Sequence, residues 1–428
     1  MAMLSLEEAY EQILSAFHPL EPESRPLLDA LGQVLAEDIV SPLNVPPLPN
    51  SAMDGYAVRY EDVEGITPDA PRLLRVLGYV AAGHIAQEAV VAGTAMRIMT
   101  GAPIPAGADT VVPFEETDEV ERRQRGLPPE GITEICIQRV GPRGANARPA
   151  GEDIRAGEVV LRAGAELRPA EIGVLASLGC TQARVIRRPV VALLATGDEL
   201  VAPGGELGPG QIYDSNSFSA AAQVLRCGGV PLPLGIARDT VEALTAKIEE
   251  GLQRADLLLT SAGVSLGDFD LVKDVLARLG EITLWSVRIR PGKPLAFGTL
   301  VGRGLGGQLR RVPHLGLPGN PVSSMVTFEL YARPALMKMM GRRVTAHPTI
   351  DVELGEDVEN RGGRRFFARA SVRREDGRFV ARLTGPQGSG VLTSMALANA
   401  LVVIPEDVEL AAKGGVYPAQ MLDWSTDL

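Results

Sequence analysis

The sequence predicts a multidomain α/β plus β protein centred on a doubly wound, mostly parallel sheet. Three observations predict it. Between 185 and 341, apolar runs of strand length alternate with helical patterns, as in successive βαβ units. Two strand-to-helix turns rich in Gly, Ser and Pro, at 260–268 and 317–324, lie inside that stretch. On either side the chain breaks into short Val/Ile-bearing runs punctuated by turn residues, which reads as β structure.

Ser5 and Glu8 form a capping box for a first helix, and a second amphipathic stretch runs from Arg25 to Leu35. The proline-rich crossing Ser41 to Pro49 is extended and reads as a domain boundary. Runs at Leu73–Leu77, Ala95–Met99, Thr110–Pro113 and Ile135–Val140 predict a small β domain, and a helix is expected to begin near Pro169. The central series follows: Val190–Ala195, a helix over Ser217–Cys227 stopped by Gly228, Leu232–Ile236, and a helix opened by Asp239 and Glu242 in a capping-box variant. Leu257–Leu259, a helical pattern over Phe269–Leu279, Ile282–Val287, Leu295–Phe297 and a helix over Val322–Met340 complete it. In the tail, a Glu375-Asp376-Gly377 turn joins Phe366–Arg373 to Phe379–Leu383, and Ala400–Ile404 and Val416–Leu422 add strands to a small barrel or sandwich. The expected division is 1–45 with 141–180 as a discontinuous helical domain, 46–140 as an inserted β domain, 181–342 as the α/β domain and 343–428 as a C-terminal β domain.

A formal net charge of −11 argues against general nucleic-acid or membrane-surface binding. No apolar run reaches 18 residues and the N-terminus is acidic, so a cytoplasmic protein without a membrane span is the expectation. Three separated cysteines make no disulfide framework or evident zinc site, leaving oxygen ligands and Mg²⁺ as the expected metal chemistry.

Chemistry is expected where strands of an open α/β sheet end. Asn320 with Pro321 opens a helix directly after Leu317-Pro318-Gly319, and amides at such a start suit an anion. Gly263 and Gly267 permit close backbone approach in the loop that also carries Ser261 and Ser265. Thr196-Gly197-Asp198-Glu199 places two carboxylates at a strand end, suited to Mg²⁺ or a ligand hydrogen bond, or else a solvent-facing turn. Asp214, Ser215 or Asn216 caps the next helix, and Asp270 falls in a first helical turn. Arg288 and Arg290, on one face of a strand, concentrate positive charge with Lys293. Gly292-Lys293-Pro294 is no P-loop, and 302–307 reads as a surface loop.

Seven motifs in chain order resemble the molybdopterin molybdenumtransferase (MoeA) family: Ser51-Ala52-Met53-Asp54-Gly55-Tyr56-Ala57, Thr100-Gly101-Ala102-Pro103, Gly151-Glu152-Asp153-Ile154, Thr196-Gly197-Asp198-Glu199-Leu200, Gly263-Val264-Ser265-Leu266-Gly267, Pro291-Gly292-Lys293-Pro294 and Leu317-Pro318-Gly319-Asn320-Pro321. The resemblance implies a homodimer that takes adenylylated molybdopterin and molybdate with Mg²⁺, inserts molybdenum into the pterin dithiolene and releases AMP. It implies a pterin and adenylate pocket around Thr196, Gly197, Glu199, Asp239 and Asp270, with Mg²⁺ on Asp198, Glu199 and Asp270. Phosphates would meet Ser261, Gly263, Ser265, Gly267, Pro318, Gly319, Asn320 and Ser323, and anions would meet Arg290, Lys293, Arg369 and Ser389. Asp54, Thr100 and Asp153 would come from the opposing subunit. Molybdopterin adenylyltransferase and molybdoenzymes are the protein partners implied. Ala262 and Ser286 depart from the family pattern, at a usual Gly and a frequent Lys. A non-catalytic pterin-binding scaffold, as in gephyrin, or a carrier of the adenylylated pterin is the rival expectation.

Overall fold

The computed structural model describes residues 3–128, 131–261 and 271–423. The chain divides into two compact units, one of residues 1–25, 29–36 and 184–428, the other of 26–28 and 37–183. No helix among the described residues is long and apolar enough to cross a membrane.

In the first unit a six-stranded sheet runs in the order Val230–Ala237, Val190–Thr196, Leu257–Ser261, Leu309–Leu317, Pro294–Arg303, Gly280–Ser286. The first three pairings are parallel and the last two antiparallel. Five strands therefore share one direction and Pro294–Arg303 alone runs against them, so the sheet is mostly parallel with one reversed strand. The reversal is local: the Gly-rich 302–307 segment, read from sequence as a surface loop, is a hairpin connection that turns the chain straight back. Alternation sorts the buried strand residues. Val191, Leu193, Leu257 and Leu259 pack in one core with the helices Asn216–Cys227 and Arg333–Met339. Ala192, Leu194 and Leu258 pack in a second core with Val241–Leu252 and Leu271–Leu279. Helices cover both faces, as a doubly wound sheet requires.

The C-terminal strands close on themselves: Arg365–Glu375, Arg378–Leu383, Thr349–Leu354, Val416–Met421 and Ala400–Ile404 pair in a ring, with Ala400–Ile404 returning to Arg365–Glu375. This barrel removes the open edges a small sheet would expose. In the second unit a five-stranded sheet runs Thr110–Pro113, Gly55–Val58, Thr94–Ile98, Arg72–Val80, Glu134–Ile137.

The capping box at Ser5 and Glu8 forms, with Glu8 N donating to Ser5 Oγ at 3.1 Å and Ser5 N to Glu8 Oε2 at 2.7 Å. Arg25–Leu35 makes no helix. Pro22–Pro26 is a strand followed by turns through Gly32 (φ 77°), because Pro26 lacks an amide donor and Gly32 sits left-handed. Thr240, not Asp239, caps Val241–Leu252: its backbone is extended and its side chain accepts Ala243 N at 3.2 Å. Val322–Met340 is helical, but a π turn at Phe328–Ala332 divides Pro321–Thr327 from Arg333–Met339.

Candidate functional site

Register places the strand ends in one row. Thr196 pairs with Ala237, Ala195 with Ser261, and Ser261 with Leu317. The chain turns at 197–199, 238–239 and 318–320 therefore leave the sheet side by side, at the point where strand order reverses. Thr196 and Ser261 are both buried, and Thr196 Oγ1 donates to Ser261 O at a long 3.5 Å. Gly197 sits at φ 138°, a backbone conformation that strains any other residue, and the Glu199 carboxylate folds back over its Cα. Asp198 and Glu199 are exposed. Asp239 N donates to Asp198 Oδ1 at 3.4 Å, which brings a third acid to the pair. Partial burial raises the Asp239 carboxyl above its ordinary range, and the neighbouring Asp198 and Glu199 charges push it the same way.

The helix that begins at Asn216 is fixed to this row. Asp214 Oδ1 accepts Ser217 N at 3.0 Å and so supplies the expected cap, leaving Asn216 to donate from Nδ2 to Gly319 O at 2.8 Å. Further along, Gln223 donates to Met325 O at 3.2 Å and to buried Glu329 at 2.7 Å. Arg226 and His347 also bind Glu329, at 2.6 and 2.9 Å. Two helices and their N-terminal loops are thus locked together. Asn320 holds the N-cap position, though its side chain makes no cap bond. One amide expected to be free there is taken, since Val322 N donates to Ser389 O at 3.0 Å. Ser323 is buried in the first turn.

That bond brings in the barrel. Ile289–Arg290 adds to it beside Arg365–Phe366, and Arg290 stacks on Phe366 with Cζ 4.4 Å from the ring centroid. Only these two residues are strand, so Arg288 and Arg290 do not share a strand face: Arg288 is exposed and Arg290 half-buried. Lys293 is exposed. Arg369 is fully buried; its Nε donates to Ser394 Oγ at 2.7 Å and its Nη2 to Pro386 O and Gly388 O at 3.0 and 3.1 Å. Its buried Nη1 has no partner. Among the described residues no carboxylate pairs with Arg290, Lys293 or Arg369. Burial, with Arg290 nearby, pushes Arg369 down to about 10. Burial and Arg364 likewise lower Arg290. The predicted Gly263, Ser265, Gly267 and Asp270 lie outside the described residues.

A second constellation lies in the β unit. Asp54 Oδ1 accepts both the amide and the hydroxyl of Thr100 at 2.7 Å, which holds the Asp54 carboxyl below its usual range. Ser51 N donates to Ala102 O and Gly101 N to Ser51 O, so the two loops are strapped together. Asp153 is exposed in the Gly151 turn, where its amide donates to Val45 O at 3.0 Å. Sequence reasoning missed Asn216 as the anchor of Gly319, and it missed Arg97 beneath Asp54; a charged residue inside the apolar run Ala95–Met99 was the available signal for the second.

Three family models match in order along the chain: MoeA N-terminal region (domain I and II) over residues 4–179, probable molybdopterin binding domain over 192–338, and MoeA C-terminal region (domain IV) over 351–419. The chain belongs to the MoeA family. Molybdopterin molybdenumtransferase 2 of Mycobacterium tuberculosis is 37% identical over 418 residues, covering 96% of this chain and 98% of that one. The molybdopterin molybdenumtransferase of Haemophilus influenzae is 35% identical over 408 residues, 95% of each. The crystal structure of the molybdopterin biosynthesis moeA protein from Pyrococcus horikosii superposes with a TM-score of 0.80 at 33% identity, over 99% of this chain and 100% of that one. Membership in the MoeA family spans both units, so both constellations fall within family-matched sequence.

Proposed function

We propose that the chain is a molybdopterin molybdenumtransferase that takes adenylylated molybdopterin and molybdate, places molybdenum on the pterin dithiolene and releases AMP. The observation that carries this reading is buried Arg369 with half-buried Arg290 near it, neither paired with a carboxylate among the described residues, in the barrel that the Val322 to Ser389 bond ties to the 318–320 loop. Buried cations without counter-charges are costly, and a bound oxyanion supplies what the fold withholds. In this reading Thr196, Gly197, Ser261, Pro318, Gly319, Asn320 and Ser323 line the pterin and nucleotide side, while Arg290, Lys293, Arg369 and Ser389 face molybdate and phosphate oxygens. Gly263, Ser265, Gly267 and Asp270, outside the described residues, keep in this reading the roles that the family motifs assign them.

Mg²⁺ suits the adjacent exposed carboxylates of Asp198 and Glu199, which are hard oxygen ligands, with Asp270 as the third acid of this reading. Among the described residues no three His, Cys, Asp or Glu side chains come together to hold a metal, so this reading rests on the Asp198 and Glu199 pair. Bound there, it would neutralise phosphate charge at the departing adenylate.

The protein works in this reading as a cytoplasmic homodimer, with Asp54, Thr100 and Asp153 contributed by the second subunit. It receives substrate from a molybdopterin adenylyltransferase and passes product to molybdoenzymes. The division into 1–45 with 141–180, 46–140, 181–342 and 343–428 belongs to the same proposal.

The purified protein, given adenylylated molybdopterin, molybdate and Mg²⁺, is expected to release AMP and yield cofactor that reconstitutes an apo-molybdoenzyme. Adenylate that is bound yet unchanged would mark a scaffold or carrier instead. Glu199→Ala is expected to be folded and slow; full activity in that variant would remove Glu199 from the mechanism.

A further inference from the structure

We propose that Arg97, clamped by Glu119, is a positioning residue for the Asp54–Thr100 pair. The proposal rests on the reading that Asp54 acts on the substrate. Arg97, on the strand Thr94–Ile98, and Glu119, at the start of the helix Glu119–Gln124, are both buried, at 1% and 0% exposure. One edge of the guanidinium meets the carboxylate: Nη2 donates to Glu119 Oε1 at 3.0 Å, and Nε lies 2.8 Å from Oε2 as an ion contact without hydrogen-bond alignment.

The other edge does something a storage ion pair would not. Nη1 donates to Gly55 O at 3.2 Å and to Ile98 O at 2.8 Å, with Met99 Sδ at 3.8 Å. Gly55 and Ile98 are opposed across the antiparallel pair. One follows Asp54 directly, and the other stands two residues before Thr100. The guanidinium therefore bridges the two strands at the point where each releases its polar residue.

The brace is itself confined. The Arg97 Cζ lies 5.4 Å from the Tyr56 ring and 5.6 Å from the Phe114 ring. Arg123 also lies over Phe114, at 5.0 Å, and pairs with Glu119 at 2.5 Å. Phe114 N donates to Asp54 O at 3.2 Å, so the wall of the guanidinium site also holds the Asp54 backbone. Gly55 permits the arrangement, since a Cβ there would overlap the Val112 carbonyl. A planar fork can hold a carboxylate and two carbonyls at once, and a lysine ammonium at the same depth cannot reproduce that geometry.

The test is a cycle of Arg97→Lys and Asp54→Asn in the homogeneous AMP-release assay. If Arg97 acts through Asp54, Arg97→Lys alone lowers kcat/KM by about 10- to 100-fold, the scale of a misplaced reacting group. In the Asp54→Asn background the same change then costs about twofold or less. NMR of the Asp54 carboxyl supplies a readout that stability alone does not move: in Arg97→Lys its titration is expected at higher pH than in the parent, as the Thr100 contact loosens. Equal losses in both backgrounds, with an unmoved Asp54 titration, overturn the proposal while leaving Asp54 in its role. Full activity of Asp54→Asn by itself overturns the role of Asp54 and the proposal with it. Should Arg97→Lys not fold, Glu119→Gln carries the same cycle and is read the same way.

Discussion

Arg97 and Arg369 are both fully buried arginines, and they are closed off differently. Arg97 meets a buried carboxylate, two carbonyls and two aromatic faces. Arg369 meets a hydroxyl and two carbonyls, no carboxylate among the described residues, and retains an unpartnered Nη1. The first guanidinium is electrically complete within its unit, so its contacts can fix backbone position. The second keeps a positive potential that burial alone would remove. It is kept only if something anionic completes it. Burial of a charge is therefore not one observation with one meaning; the missing partner separates a brace from a binding site.

The widest split is expected in stability. Glu119→Leu leaves Arg97 buried with neutral acceptors only and is expected to cost about 3–5 kcal/mol, the usual penalty for breaking a buried pair from one side. Arg369→Met removes a guanidinium that has no carboxylate partner among the described residues and is expected to cost about 1 kcal/mol or less, the lost hydrogen bonds being offset by relief of a buried charge. Urea unfolding of the two variants measures the difference. Equal losses would dissolve the distinction between the sites.

Function should then reverse the order. Arg369→Met removes a charge-assisted donor from the proposed oxyanion site, about 1.5–3 kcal/mol, and so is expected to weaken molybdate retention about 10- to 150-fold in equilibrium dialysis. Unaltered retention would strip the barrel of its proposed part in binding. Asn216→Ala should act more gently, because it deletes one neutral bond to Gly319 O while Asp214 still caps the helix. A loss of about 1 kcal/mol, or roughly fivefold in the KM for the adenylylated substrate, is expected with little change in kcat. A fall in kcat at constant KM would place Asn216 in the chemical step instead.

What the sequence made legible follows the range of the forces involved. The strand Val190–Thr196, the Gly228 and Gly341 helix stops and the Asp376-Gly377 turn are set by local periodicity and backbone freedom, and they stand where the pattern puts them. The hairpin at 302–307 was hidden because apolar runs do not declare their pairing direction. Asp239 was read as a cap because Asp and Thr are both competent caps; which one caps depends on Asp198 holding the Asp239 amide. The Thr196 and Gly319 loops were visible as motifs, yet their convergence rests on register between strands far apart in sequence. Arg97 shows the limit most sharply, since its partner Glu119 lies on a later helix and no spacing rule joins them.

The smallest effect concerns the acids that share the strand-end row. Folding raises the Asp239 carboxyl above its unfolded value near 3.8, through partial burial first and then through Asp198 and Glu199. For an acid raised on folding, the native state holds its proton more tightly than the unfolded chain does. Stability therefore falls as pH climbs through the unfolded and then the folded value, and the penalty is complete above both. Asp239→Asn removes that penalty, so the variant is expected to be more stable than the parent at about pH 7. The gain should stay below about 1 kcal/mol, because the three side chains face water and their repulsion is screened. It should shrink as pH is lowered toward 4 and as Mg²⁺ is added, since protons and the cation each relieve the same repulsion. A gain that ignored both pH and Mg²⁺ would mean that Asp239 is destabilising through lost packing rather than charge, and would leave Asp198 and Glu199 without the electrostatic partner proposed for them.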